Sequence, residues 1–247
     1  MPRPLLLIDC YLDRQGGARN FLPVLQDLAA TRPVQVVRPA HESYDVRADD
    51  LAGVIITGSA ASCCEIPGWV TPIMDLIRAC GDRDVPVLGV CFGHQILARA
   101  LLGRDAVRPA PEPELGWLEV SLTAADSSGE PALDPITAGL DREFRVFVSH
   151  REEVTPAASG SLRVLARSRQ CQNHAFRVPG SPMWGVQFHA EMGIQEARRL
   201  VIDKAESHPE YALHPPEILA RARDTAQLFR QIMGNFLPFV VAGDRQR

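Results

Sequence analysis

Four short apolar runs in the first hundred residues constrain the fold most. They lie at residues 5–9, 34–37, 51–57 and 85–90, and none shows the strict apolar–polar alternation of a strand with one wet face. Stretches of helical period separate them. Residues 18–30 carry Phe21, Leu25 and Leu28 on one face. Residues 67–79 carry Val70, Ile73, Met74 and Ile77. Residues 92–102 are stopped by Gly103. Strands buried on both faces and joined by helices predict the α/β class: an open, mostly parallel mixed sheet with helices on both faces.

Beyond residue 110 the texture changes. Residues 109–114 hold three prolines, and residues 126–139 are rich in Ser, Gly and Pro; both read as loops. Short β-like runs follow at 118–122, 144–148, 162–167, 175–178 and 183–188, which predict a mixed sheet or a β extension. Helical pattern returns at 194–205 and 216–233. With no repeat and no linker-like composition, one domain over residues 1–247 is expected. Its core would be residues 4–192, with a C-terminal helical extension at 193–247.

Composition narrows the function. The 247 residues carry 26 Lys plus Arg against 30 Asp plus Glu, a net charge of −4, so no basic surplus exists to displace counterions from nucleic-acid phosphates. The longest pure aliphatic runs fall far short of the roughly 20 residues of a spanning helix, and Asp9 cuts the first one at once, unlike a signal peptide. Six cysteines (10, 63, 64, 80, 91 and 171) show neither CxxC pairs nor secreted-scaffold spacing. A cytoplasmic protein with reduced thiols, without membrane or nucleic-acid partners, is the expectation.

Chemistry concentrates at Gly89-Val90-Cys91-Phe92-Gly93. An apolar strand precedes it and a helix follows, the context of a nucleophile elbow with Cys as nucleophile. The glycines let strand and helix approach, the helix N-terminus favours a thiolate, and the Phe92 N–H faces any oxyanion formed by attack of Cys91. A cysteine is more often a small buried hydrophobe, but the glycine frame and the preceding strand outweigh that reading here. A nucleophilic thiol needs a base, and the base needs an orienting group. Of seven histidines, His189 ends an apolar strand and has Glu191 two residues on. A surface histidine with a chance acidic neighbour remains the other reading from these residues alone.

Gly89-Val90-Cys91-Phe92-Gly93-His94-Gln95, followed about a hundred residues later by Gly185-Val186-Gln187-Phe188-His189-Ala190-Glu191, resembles the class I (triad-type) glutamine amidotransferases. The likeness runs over roughly residues 5–192 and is nearest to the glutaminase domain of GMP synthase and its stand-alone relatives. It implies a flavodoxin-like sheet and hydrolysis of the γ-amide of glutamine. Cys91 would be the nucleophile, His189 the base and then the acid, and Glu191 the group that orients His189. It places the oxyanion hole at Gly58, Ser59 and Phe92, and substrate contacts at Gln95, Ser149, His150 and Glu152. It implies neither metal nor cofactor, since thiolate, imidazole and oxyanion hole cover each step. An ammonia acceptor would sit on a separate synthetase partner, because only about 55 residues follow Glu191.

Three departures stand out. The family tripeptide His-Pro-Glu is His189-Ala190-Glu191; the oxyanion turn, residues 58–62, lacks a proline; and Arg151 follows Ser149-His150 where glycine is common. Arg151 could meet a carboxylate absent from glutamine, so a stand-alone γ-glutamyl peptidase or hydrolase is the second reading. A redox sensor of the ThiJ/PfpI type, which shares the cysteine elbow, lacks the late Gln-Phe-His-x-Glu segment. His208-Pro209-Glu210 matches the family tripeptide literally, but it follows a polar helix end rather than a buried strand. The remaining features read as structural. His94 packs, Cys63-Cys64 pack, Trp117 and Trp184 are core, Asp9 supports the site or caps a loop, and Arg221, Arg223 and Asp224 form a solvated helix face.

Overall fold

The apolar run Leu5–Ile8 forms β1, and its side chains point alternately into two different cores. Leu6 and Ile8 join one cluster with Ile73, Ile77, Ile96 and Leu97; Leu5 and Leu7 join another with Phe21, Leu25, Phe236 and Val240. Both faces of the strand are therefore dry, which explains why its sequence does not alternate. The computed structural model describes residues 2–29, 32–123, 134–208 and 214–245.

The first half builds a parallel sheet. After β1 come α1 (Ala18–Leu28), β2 (Val34–Val37), β3 (Gly53–Ile56), α2 (Thr71–Gly81), β4 (Val87–Val90) and α3 (Phe92–Leu102). A 3-10 turn, Gly68–Val70, occupies the first residues of the stretch expected as helix 67–79. The second half supplies β5 (Val107–Leu122), β6 (Glu143–Val154), β7 (Arg163–Arg167), β8 (Ala175–Arg177) and β9 (Met183–Val186), then α4 (Ile194–Ser207), α5 (Pro215–Ala220) and α6 (Ala226–Arg245). The nine described strands form one sheet, ordered β2-β1-β3-β4-β9-β8-β7-β5-β6. From β2 to β9 all pairings are parallel; β8, β7, β5 and β6 add antiparallel pairings. The order 2-1-3-4 at the parallel end is the flavodoxin-like winding. Helices α2 and α3 cover one face, and α1 and α6 the other.

Two expectations need correction. The proline-rich stretch 109–114 is not a loop but part of β5. Its register against β6 jumps from Pro109 opposite Glu152 to Glu114 opposite His150, leaving residues 110–113 against Arg151 alone. Prolines fit there because a bulge needs no ladder N–H, and β5 meets β7 only at residues 121 and 122. The helix expected at 216–233 is two helices. Trp117 Nε1 donates to the Arg223 carbonyl at 2.9 Å, and Thr225 Oγ1 donates to the Ala190 carbonyl at 3.1 Å; both hold the chain out of helix. Asp224 then accepts from the Ala226 N–H at 2.9 Å and restarts it. Arg223 and Asp224 thus lie in this break, not on a helix face, and Arg221 caps the end of α5. The new helix runs to Arg245 and buries Phe229, Ile232, Met233, Phe236, Leu237 and Val240 against the sheet.

The tryptophans are core, as expected: Trp117 packs on Phe147, and the Trp184 N–H donates to Asp134 at 2.8 Å. Asp9 caps. Its carboxylate accepts from the N–H groups of Tyr11, Gly17 and Ala18 and satisfies the start of α1. Part of the expected loop 126–139 lies outside the described residues, as do Pro209 and Glu210 of the literal tripeptide. Among the described residues, no helix is long and apolar enough to cross a membrane.

Candidate active site

The C-terminal edge of the parallel strands gathers the candidate residues. At the end of β4 the chain turns into α3 through Cys91, whose φ of 52° and ψ of −102° are strained for a residue with a Cβ. Its backbone is pinned on both sides: Cys91 N–H donates to the Val186 carbonyl at 2.8 Å, and the Cys91 carbonyl accepts from Gln95 N–H at 3.0 Å. The glycine frame is a packing requirement. A Cβ on Gly89 would lie 2.4 Å from the Gly93 carbonyl, and a Cβ on Gly93 would lie 2.3 Å from the Ile56 carbonyl oxygen. Strand, turn and helix touch backbone to backbone, and this holds the sulfur at the sheet edge.

The turn after β3 reaches the same place. Thr57 fixes it, accepting from Cys10 N–H at 2.9 Å and donating to the Gly58 carbonyl at 3.0 Å. A Cβ on Gly58 would lie 2.8 Å from His189 Cε1 and 3.6 Å from Cys91 Cβ. Only a glycine lets this turn lie beside both side chains. Ser59 accepts from the Ala61 N–H at 3.1 Å and closes the turn locally.

His189 follows β9, and its Nδ1 lies 2.7 Å from Glu191 Oε1. Its other neighbour is the Cys91 sulfur, which lies close enough to act electrostatically on the ring. Burial opposes charge on the ring, but the Cys91 sulfur and the Glu191 carboxylate outweigh it and hold the imidazole pKa well above the usual histidine value. Cys91, His189 and Glu191 are 5%, 5% and 7% exposed, so water screens this set of charges only weakly. The His189 loop, which lacks the family proline, is fixed otherwise: His189 N–H donates to the Phe147 carbonyl at 2.8 Å, and Thr225 holds Ala190.

The four expected substrate contacts cluster behind the thiol. The Ser149 carbonyl lies 3.8 Å from Cys91 Sγ. Gln95 Nε2 donates to the Glu152 carbonyl at 2.6 Å and to Gln187 Oε1 at 2.9 Å. The Glu152 carboxylate accepts from Ser62 Oγ and Cys63 N–H, which ties β6 to the Gly58 turn. His150 engages the Glu152 carbonyl with Nδ1, at 3.0 Å, and Glu114 Oε2 with Nε2, at 2.7 Å. Arg151 is exposed and reaches the Ala60 carbonyl at 3.3 Å.

Three residues near the site went unseen in the sequence. Tyr11 lies close enough to Glu191 and Cys91 for their charges to act on its phenol. Burial, then those charges, push the phenol pKa well up. Its place just past the end of β1, on the edge where ligands gather in such sheets, was the available signal. Thr225 and Glu114 act through distant carbonyl and imidazole partners that no local pattern marks.

His94, next to the elbow, packs on Phe176 with ring centroids 4.6 Å apart, and burial lowers its pKa to about 3. In the unfolded chain a histidine protonates near pH 6.5, so between about pH 6.5 and 3 the unfolded state binds one more proton. Stability therefore falls with pH by up to about 1.4 kcal/mol per unit. His94→Leu removes that contribution. Urea unfolding at pH 7, 6 and 5 will show a shallower loss in the variant; equal slopes would contradict the buried neutral ring.

Residues 8–205 match the family model for glutamine amidotransferase class-I. A glutamine-hydrolyzing GMP synthase subunit of Ignicoccus hospitalis is 39% identical over 116 residues, covering 47% of this chain and 56% of that one. Its counterpart from Pyrococcus abyssi is 31% identical over 152 residues, covering 62% of this chain and 72% of the other. Among solved structures, a glutamine amidotransferase from Thermotoga maritima superposes with a TM-score of 0.74 at 16% identity, covering 97% of this chain and 99% of that one. One from Methylobacillus flagellatus gives 0.72 at 21% identity, over 98% and 96%. At these identities the structural likeness speaks for the fold; the family match over residues 8–205 goes further, and by it the chain belongs to the class I glutamine amidotransferases.

Proposed function

We propose that this protein hydrolyses the side-chain amide of glutamine through a thioester on Cys91. The observation that carries the reading is the meeting, at one sheet edge, of a thiol on a strained elbow with an imidazole that Glu191 holds at 2.7 Å. The Cys91 sulfur attacks the amide carbon. Oxyanion charge falls on the N–H of Phe92 and on the turn at Gly58 and Ser59. The His189 imidazolium gives its proton to the departing nitrogen, and ammonia leaves. Neutral His189 then takes a proton from water as the water attacks the thioester, glutamate departs, and the proton returns the pair to its starting state. Glu191 keeps the ring in one orientation throughout.

The named relatives are subunits of a glutamine-hydrolyzing GMP synthase. By that likeness the ammonia passes to a separate synthetase partner. One observation favours a second reading, a γ-glutamyl hydrolase acting alone: the exposed Arg151 guanidinium stands over the Gly58 turn, where it could meet an extra carboxylate. Ammonia release from glutamine and from γ-glutamyl peptides, with and without ATP-dependent partner proteins, separates the two. Glutamine is expected as the preferred substrate, with release rising when the partner is added. A preference for peptides by orders of magnitude would overturn the amidotransferase reading.

A further inference from the structure

A second cluster of ligand-type side chains lies behind the candidate active site, on the antiparallel half of the sheet. Glu114 and His150 face each other across the β5–β6 ladder, and Cys171 and His174 come from the turn between β7 and β8. All four are buried, and one ligand atom from each lies within 4.8 Å of all the others. Both imidazoles aim Nε2 at the same oxygen, Glu114 Oε2, at 2.7 Å from His150 and 2.8 Å from His174. Ser168 donates to the other oxygen, Oε1, at 2.6 Å and so orients the carboxylate.

Hydrogen bonding leaves this arrangement short of a positive charge. The Glu152 carbonyl can only accept, so His150 Nδ1, 3.0 Å away, carries a proton. With a proton on Nδ1 alone, the ring would present a bare lone pair at Nε2, 2.7 Å from a carboxylate oxygen. Two acceptors do not rest at that distance without a positive charge between or upon them. Glu114 Oε2 accepts from His174 Nε2 at 2.8 Å, so that ring carries its proton on Nε2, and its Nδ1 has no hydrogen-bond partner. A histidine whose Nδ1–H is held by a main-chain carbonyl while Nε2 points at a carboxylate is oriented as metal-ligating histidines are.

We propose that Glu114, His150, Cys171 and His174 bind one divalent transition-metal ion of the zinc class, as a structural staple joining β5, β6 and the β7–β8 turn. The donor set of two imidazoles, one thiolate and one carboxylate suits zinc. Tetrahedral zinc holds its ligand atoms roughly 3.3–3.8 Å apart; the distances of 2.7, 2.8 and at most 4.8 Å bracket that range, so small side-chain rotations close the site. Charge also balances. The dication meets one carboxylate and one thiolate, and the thiol proton leaves to solvent on binding. The staple shares His150 with the expected substrate contacts but takes no part in forming the thioester, so it holds whether or not that reading does.

Cobalt(II) titration of the full chain tests it. One ion per chain is expected, with tetrahedral ligand-field bands and a thiolate-to-cobalt charge-transfer band. Cys171→Ser will remove the charge-transfer band, His174→Gln will weaken binding at least about tenfold, and Cys91→Ala will change neither. X-ray absorption on the zinc-loaded wild type, which needs no variant to fold, will read one sulfur and two imidazole nitrogens. Absence of tetrahedral cobalt bands would overturn the proposal, leaving a proton between His150 and Glu114 as the missing charge. Bands that survive Cys171→Ser and His174→Gln but vanish in Cys91→Ala would do so equally, by placing the ion on the elbow thiol.

Discussion

Cys91→Ala and His189→Asn will each lower the rate of ammonia release from glutamine by about 10⁴-fold or more, and neither will lower Tm by more than a few degrees. The size follows from the proposed roles. Without the sulfur no thioester forms. Without the imidazole the sulfur has no proton acceptor and the leaving nitrogen no donor, so removing either member costs about as much as removing both. Fold and activity separate at these positions because the elbow is held by its backbone, through the Val186 and Gln95 hydrogen bonds, rather than by the thiol. His189 is likewise pinned through its N–H to Phe147. Glu191→Gln will lose less, since the amide oxygen can still accept from Nδ1 but carries no charge to stabilise the imidazolium. Steady-state ammonia release, beside thermal melts of each variant, checks this. Activity within about tenfold of wild type in Cys91→Ala would refute the role of the thiol.

Gly93→Ala carries the largest expected effect on stability. Its new Cβ would lie 2.3 Å from the Ile56 carbonyl oxygen and 2.9 Å from Ile56 Cβ. Both belong to β3, a buried central strand between β1 and β4, and have no room to retreat. Relief requires moving α3 off the sheet, which opens the packing of Phe92, Ile96 and Leu97. A cost of about 4 kcal/mol or more is expected, and for a chain of this length that lowers Tm by roughly 8–16 °C. Gly234→Ala is the contrast. It sits exposed within α6, where an added Cβ meets nothing within 4 Å, so it will leave Tm unchanged or raise it slightly. Equal behaviour of the two variants would show that the elbow glycines are not dictated by backbone contact.

What the sequence revealed follows from where the determining forces act. The parallel half was legible because burial on both faces leaves continuous apolar strands, and because the elbow needs glycines at fixed offsets from Cys91. Residues 109–114 misled, since prolines usually end a strand, and only the register jump opposite Arg151 makes room for them. The break between α5 and α6 was hidden because its causes, Trp117 and the Ala190 carbonyl, lie far away in the chain. The Glu114 network was hidden for the same reason: its histidines stand 36 and 60 residues beyond it. Within the candidate site, the meeting of Cys91 with His189 and Glu191 was readable from motif and spacing. Tyr11 was not, because its one signal, a place just past the end of β1, marks an edge of the sheet rather than a chemical role.

The central claim is that the Cys91 sulfur forms a covalent bond with the substrate. Acid quench of the enzyme during turnover of glutamine, followed by peptide mapping, tests this directly. A γ-glutamyl group on the peptide containing Cys91, labile to hydroxylamine and absent from Cys91→Ala, is the predicted result. Glutamine consumed while every Cys91 peptide stays unmodified, or an acyl group found on Cys63 or Cys64 instead, would contradict the account.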